Sequence, residues 1–142
     1  MEVREIDVGD AAAVAELSRQ LGYPYPAERV RVRISAIGAS PNHRLLGAVA
    51  EGSGLVGFVH AARYELVFAE PKVSIQSLVV DERFRGAGVG TRLVNAVEAW
   101  AREQGLSAVR LSSRVERSEA HSFYLARGFR LDKTSKVFIK EL

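Results

Sequence analysis

Residues 83–105 read RFRGAGVGTRLVNAVEAWAREQG, and no other stretch restricts the fold as tightly. Glycine starts a helix badly unless the backbone must be left bare. Here Gly86, Gly88 and Gly90 stand directly before a run in which Val89, Leu93, Val97 and Trp100 recur at steps of four, four and three residues. That spacing predicts a helix beginning near Gly88 and stopped by Gly105, with one apolar stripe on a core. The first N–H groups of any helix lack internal partners and carry partial positive charge. Without side chains above them an anion can come down onto the backbone, and Arg85 adds a fixed cation. The expected guest is a phosphate or pyrophosphate, each N–H bond to it contributing about 1.5–3 kcal/mol.

The segment before the loop, KVSIQSLVV, carries a second irregularity. Val73 and Ile75 alternate with polar residues, but the next apolar residues are Leu78 and Val80, three and five positions after Ile75. A period of two that slips by one predicts a bulge near Gln76–Ser77, or a strand buried on both faces. A bulge frees backbone N–H and C=O groups for a ligand.

The remaining chain is read around these two features. Val3–Ile6 is a short strand. Asp10 caps a helix through Val14, Leu17 and Leu21 that stops at Gly22. Residues 27–37 fit either period, and Pro26 before them with Gly38 behind favours a helix. Leu45–Ala50 and Leu55–Ala62 flank Glu51-Gly52-Ser53-Gly54 as a hairpin, and a loop holding Glu65 and Glu70 leads to the slipped strand. After the glycine-loop helix, Ala108–Ser113 is a strand. Ser118 caps a short helix with Glu119 in its first turn, closed by Gly128. Phe129–Leu131 and Lys136–Glu141 are two last strands. The 142 residues, 47% apolar and without internal repeat, suit one domain, residues 1–142.

Composition removes several classes of function. No apolar run approaches the roughly 18 residues of a membrane span, and MEVREIDVGD is too charged for a signal peptide. The chain has no cysteine, hence no disulfide framework, zinc–thiolate site or cysteine nucleophile. The expected compartment is the cytoplasm. A net charge of +3, from 20 basic against 17 acidic residues, is scattered along the chain and does not support nucleic-acid binding. His43, His60 and His121 lack metal-ligand spacing, so no metal is expected. A dinucleotide fold wants G-x-G-x-x-G and an acid ending the next strand; the chain offers G-x-G-x-G and Ser112-Ser113-Arg114. A P-loop wants lysine before its Ser/Thr, and Gly90 precedes Thr91.

Arg85-Gly86-Ala87-Gly88-Val89-Gly90 resembles the R-x-x-G-x-G signature of the GNAT superfamily of acyl-CoA-dependent N-acetyltransferases. LVVDERF before it and AHSFYLARGF behind it resemble that family's neighbouring landmarks, and the resemblance extends over essentially the whole chain. It implies an α+β fold: a mixed, mostly antiparallel central sheet of six to seven strands with a V-shaped splay, flanked by about four helices. It further implies transfer of an acetyl group from acetyl-CoA, as co-substrate, to a primary amine by direct attack, without an acyl-enzyme.

By the same resemblance, Arg85, Gly86, Ala87, Gly88, Val89, Gly90 and Thr91 hold the pyrophosphate, and the backbone of Leu78, Val79 and Val80 pairs with the pantetheine arm. An N–H near Val79 polarises the acetyl carbonyl. Tyr124 is the acid facing the leaving sulfur, while Phe123 and Trp100 are core. The chain departs from the family's pattern in two places. Arg117 stands where an asparagine is common, and the slipped strand carries Ser74 and Gln76 where an acid is common. No side chain is therefore expected to be the base; water held by carbonyls and Gln76 takes the proton. The acceptor, a small-molecule or peptide amine, is assigned to the Tyr23–Pro26 loop, the Arg29/Arg31/Arg33 segment and the Glu65–Glu70 loop. A homodimer is left open. The competing reading from another class is a non-catalytic module of the same fold that binds or senses acyl-CoA.

Overall fold

The computed structural model describes all 142 residues, which form two compact units, residues 1–112 and 113–142. In the first unit, strands β1 (Glu2–Glu5), β2 (His43–Ala50), β3 (Gly54–Leu66), β4 (Ala69–Val80) and β5 (Val109–Leu111) lie side by side in chain order. The first three pairings are antiparallel and the last is parallel. Antiparallel neighbours can be joined by tight turns, whereas the parallel β4–β5 pair needs a crossover. Helix α3 (Val89–Glu103) supplies it.

Two helices, α1 (Ala11–Leu21) and α2 (Ala27–Gly38), separate β1 from β2. Val14 and Leu17 of α1 and Val30 and Ile34 of α2 form one buried cluster with Ile6, Phe58 and Val79. The arginines alternating with Val30 and Ile34 point to solvent, which settles the 27–37 ambiguity as helix. The expected α3 stripe is buried, joined by Val94 and Ala101. A side chain at Gly57 would meet Val89 and Leu93, while its neighbour Phe58 belongs to the α1/α2 cluster. Successive strand residues point to opposite faces, so α1 and α2 cover one face of the sheet and α3 the other. No helix is long and apolar enough to cross a membrane.

Several expectations are corrected. Asp10 stands before α1, but its carboxylate takes two bonds from Arg4 at 2.9 Å and the Asp7 N–H at 3.0 Å. Asp7 caps the 3-10 turn ahead of α1. The Glu65–Glu70 loop is largely strand: β3 runs to Leu66 and β4 starts at Ala69, so Val67 and Phe68 alone make the turn. Pro71 is tolerated because β4 has a β5 partner only from Val73 to Ile75, so its missing N–H interrupts no ladder on that side.

The second unit holds α4 (Ser118–Ala126). Arg117, not Ser118, is its N-cap residue and provides no side-chain capping bond, and Gly128 follows at φ +93°. Residues 129–142 have no regular structure. The strands expected at Phe129–Leu131 and Lys136–Glu141 do not form, so the sheet has five strands instead of six to seven. Leu131, Val137, Phe138, Ile139 and Leu142 are all largely exposed. A strand exists only where a neighbour takes up its backbone groups, and nothing in the chain pairs with this segment.

Candidate active site

The slip in β4 is a bulge. Ser77 pairs with His60 and Ile75 with Ala61, leaving Gln76 unpaired. The ladder to β5 ends at the same point, with Ile75 opposite Leu111. Beyond it, one edge of β4 is open. The Asp81 N–H bonds Val56 O on the β3 side at 2.8 Å. Backbone groups alternate in direction along a strand, so Val79 also turns its groups to β3, while Leu78 and Val80 turn theirs to the open edge. The N–H of Val79 itself is therefore turned away from the open edge, and Val79 contributes a buried side chain to the α1/α2 cluster.

The turn after β4 is fixed by Asp81, which is 5% exposed. Its carboxylate accepts the Arg83 N–H at 3.0 Å and the Arg83 guanidinium at 3.1 and 3.0 Å. The side-chain and backbone bonds of Arg83 hold its pKa down at about 2. The Glu82 N–H bonds Gln20 Oε1 at 3.0 Å, tying the turn to α1.

The glycine loop then presents bare backbone. Gly86 and Gly88 have φ of +81° and +83°, and a side chain at either would meet no atom within 4 Å. Those angles are left-handed, which explains the glycines; the open space shows that no neighbouring packing requires them. Gly88 is the N-cap of α3 and brings no capping side chain. The Arg92 N–H reaches Gly88 O at 3.1 Å, so the N–H groups of Val89, Gly90 and Thr91 lead the helix. Val89 is buried; Arg85 and Ala87 are exposed. Arg85 Nε donates to Val80 O over a long 3.4 Å. These residues fit a phosphate ester: unpaired N–H donors, a helix N-terminus, one cation and clear space above.

At the bulge, Ser74 is 1% exposed. Its Oγ donates to Gln76 Oε1 at 3.3 Å and accepts from Arg110 Nη1 at 3.0 Å. Arg110 also donates to Ser112 Oγ at 3.2 Å and stacks over Tyr64 at 4.4 Å. Gln76 is exposed. Glu65 is taken up by Arg63.

Tyr124 belongs to the second unit. It is half-buried, edge-on to Phe123 and Phe129 with centroids 5.4 and 5.7 Å away. Burial raises its pKa, with Arg117 acting in the opposite sense, so it is protonated at neutral pH. Phe123, expected in the core, is half-exposed beneath the Arg127 guanidinium.

An open groove of about 450 Å³ is lined by Ala15, Glu16, Arg19, Pro24, Tyr25 and Pro26. It includes the expected acceptor loop, but none of its lining residues comes from β4 or the glycine loop.

One pair of residues was not foreseen. His43 Nδ1 and His60 Nε2 lie 2.9 Å apart, with rings stacked at 5.1 Å. They are distant in sequence and meet only through the β2–β3 register. The hairpin signal at residues 51–54 was the only available clue, and it fixes the register to within a residue or two.

Residues 11–129 match the acetyltransferase (GNAT) family. The chain is 30% identical over 139 residues to an aminoglycoside N(6')-acetyltransferase type 1 of Stenotrophomonas maltophilia, spanning 95% of this chain and 88% of that protein. It is 31% identical over 128 residues to the IAA acetyltransferase of Azospirillum brasilense, spanning 89% and 81%. Its fold superposes on an aminoglycoside N-acetyltransferase, AAC(6')-Iy, in complex with CoA: the TM-score is 0.87 at 21% identity, over 99% of this chain and 95% of that one.

Proposed function

The chain belongs to the acetyltransferase (GNAT) family and is an acyl-CoA-dependent acetyltransferase; we propose that it moves the acetyl group of acetyl-CoA to the primary amine of a small molecule in the cytoplasm, by direct attack. The observation that carries this reading is the bulged β4 leading into a glycine loop whose open backbone heads α3.

In this proposal the N–H groups of Gly86 to Thr91 and the Arg85 guanidinium hold the pyrophosphate. The open-edge groups of Leu78 and Val80 pair with the pantetheine amides as a further strand would. Arg85 gives up its long bond to Val80 O when that edge is paired. The first open N–H after the bulge, on Leu78 or Val80, donates to the acetyl oxygen as it gains charge. Tyr124 stays protonated because burial disfavours its phenolate, and it donates to the departing sulfur. Its ordinary pKa of about 10 already exceeds a thiol's, about 8.5, so it stabilises developing thiolate by hydrogen bonding before giving up its proton. Gln76, its oxygen engaged by Ser74, holds water near the bulge. The names of the relatives favour a small-molecule acceptor over a peptide.

The test is thiol release from acetyl-CoA across a panel of small amines, beside calorimetry of acetyl-CoA alone. Binding with amine-dependent thiol release supports the transferase. Binding without release for any amine would make the chain a sensing module instead, and absence of binding would remove the loop assignment.

A further inference from the structure

Two imidazoles 2.9 Å apart can hold each other only if one donates and the other accepts. His43 Nε2 and His60 Nδ1 make no bond within the chain, so the pair is a short hydrogen-bonded wire with two open ends. His60 lies across the ladder from Ser77, the residue after the bulged Gln76. It shares a sheet face with Phe58 two positions earlier, the face covered by α1 and α2. His43 is the first residue of β2 and is half-exposed. The wire therefore runs along that face from the β3 position opposite Ser77 to the start of β2.

Resting on the acetyl-transfer reading above, we propose that His43 and His60 form a proton relay that takes the proton of the attacking amine at the bulge and delivers it to solvent. As the amine nitrogen bonds the acetyl carbon, one N–H bond breaks and its electron pair stays on nitrogen. The proton binds His60 Nδ1. His60 Nε2 passes its own proton to His43 Nδ1, and His43 Nε2 releases one to water. The carbon–sulfur bond breaks with its electrons going to sulfur, which takes a proton from Tyr124; water restores the phenol. The two rings regain their first tautomers by exchange with water.

The setting keeps the relay open. Burial, then His43, then Arg33 of α2 push the pKa of His60 down to about 4, and Ser77 opposite it is neutral. The His60 ring is thus uncharged at pH 7 and a weak base, which takes a proton at Nδ1 only as its Nε2 passes one on. It offers what β4, with Ser74 and Gln76, does not.

The experiment uses His60→Gln and His43→Gln in the full chain, with acetyl-CoA and an amine that supports thiol release in the wild type. Glutamine keeps a polar side chain but passes no proton. Both variants should lose at least tenfold in kcat at pH 7 with KM for acetyl-CoA unchanged. The deficit should shrink only at high pH, where hydroxide can take the attacking nitrogen's proton in the relay's place; the supply of free base rises equally for wild type and variant and does not close it. An equal loss at every pH, or wild-type rates, overturns the relay while leaving the transferase intact. If a variant fails to fold, nitrogen NMR of the wild-type imidazoles decides. A single proton taken up by both rings together supports the pair, and two independent titrations overturn it. A wild type that binds acetyl-CoA and releases no thiol overturns the relay together with the transfer reading.

Discussion

The β4–loop–α3 segment and residues 129–142 both carry strong local patterns, yet only the first becomes what its pattern describes. In β4–loop–α3 the glycines at positive φ specify the segment's own backbone, and the slipped period and apolar stripe find their partners in the same unit: the bulge against β3, the strand just before it, and the stripe against the sheet. Such signals need only neighbours that the first unit already supplies. The alternation of Lys136–Glu141 instead requires an edge to pair with, and no edge of this chain takes it. Patterns that specify backbone conformation survive, while patterns that presuppose a distant partner depend on where that partner is.

The largest effect that would sharpen this contrast is on stability. Leu93 is fully buried in the α3 stripe, and Leu93→Ala should cost about 3 kcal/mol, within the range for buried leucine, measured by urea unfolding. A loss below about 1 kcal/mol would mean that the stripe is not the anchor of the first unit. Next comes the second unit's one proposed chemical group. Tyr124→Phe should lower kcat roughly 10- to 100-fold with little change in KM for acetyl-CoA; unchanged turnover would make Tyr124 a packing residue. In the glycine loop, Gly88→Glu places a carboxylate where the anion should rest and forces a side chain into a left-handed position. Acetyl-CoA affinity should fall at least tenfold, about 1.4 kcal/mol. Calorimetry finding wild-type affinity in a folded variant would remove the phosphate from this loop.

The same contrast explains how much of the site was legible. The conformation of residues 76–91 could be read because a slipped period and a glycine-led helix start leave their marks on contiguous residues. Which of Leu78, Val79 and Val80 turn their backbone groups to the open edge could not, because it depends on which side of β4 carries β3, visible in the bond from Asp81 N–H to Val56 O. The Glu65–Glu70 segment reads as a loop in sequence for a related reason. Charged residues and Pro71 obscure the alternation there, yet the segment is held in register by its partner across the hairpin. His43 and His60 were invisible as a pair, since a shift of one residue in the hairpin would have put them on opposite faces.

The smallest predicted effect is the sharpest test of the comparison. Phe138 is 88% exposed, so Phe138→Ser removes almost no buried apolar surface. An exposed substitution of this kind changes stability by no more than about 0.5 kcal/mol, and the melting temperature of the variant should match the wild type at low protein concentration. The neighbours Val137 and Ile139 are equally bare, and three adjacent apolar side chains in water are unusual for an isolated chain. The measurement is therefore repeated at high concentration. If the wild type gains stability with concentration and Phe138→Ser does not, the strand pattern of residues 136–141 is realised against a second copy. The failed expectation would then concern only where the partner edge lies. If Phe138→Ser costs more than about 1 kcal/mol even in dilute solution, the segment packs within its own chain and the contrast with β4–loop–α3 collapses.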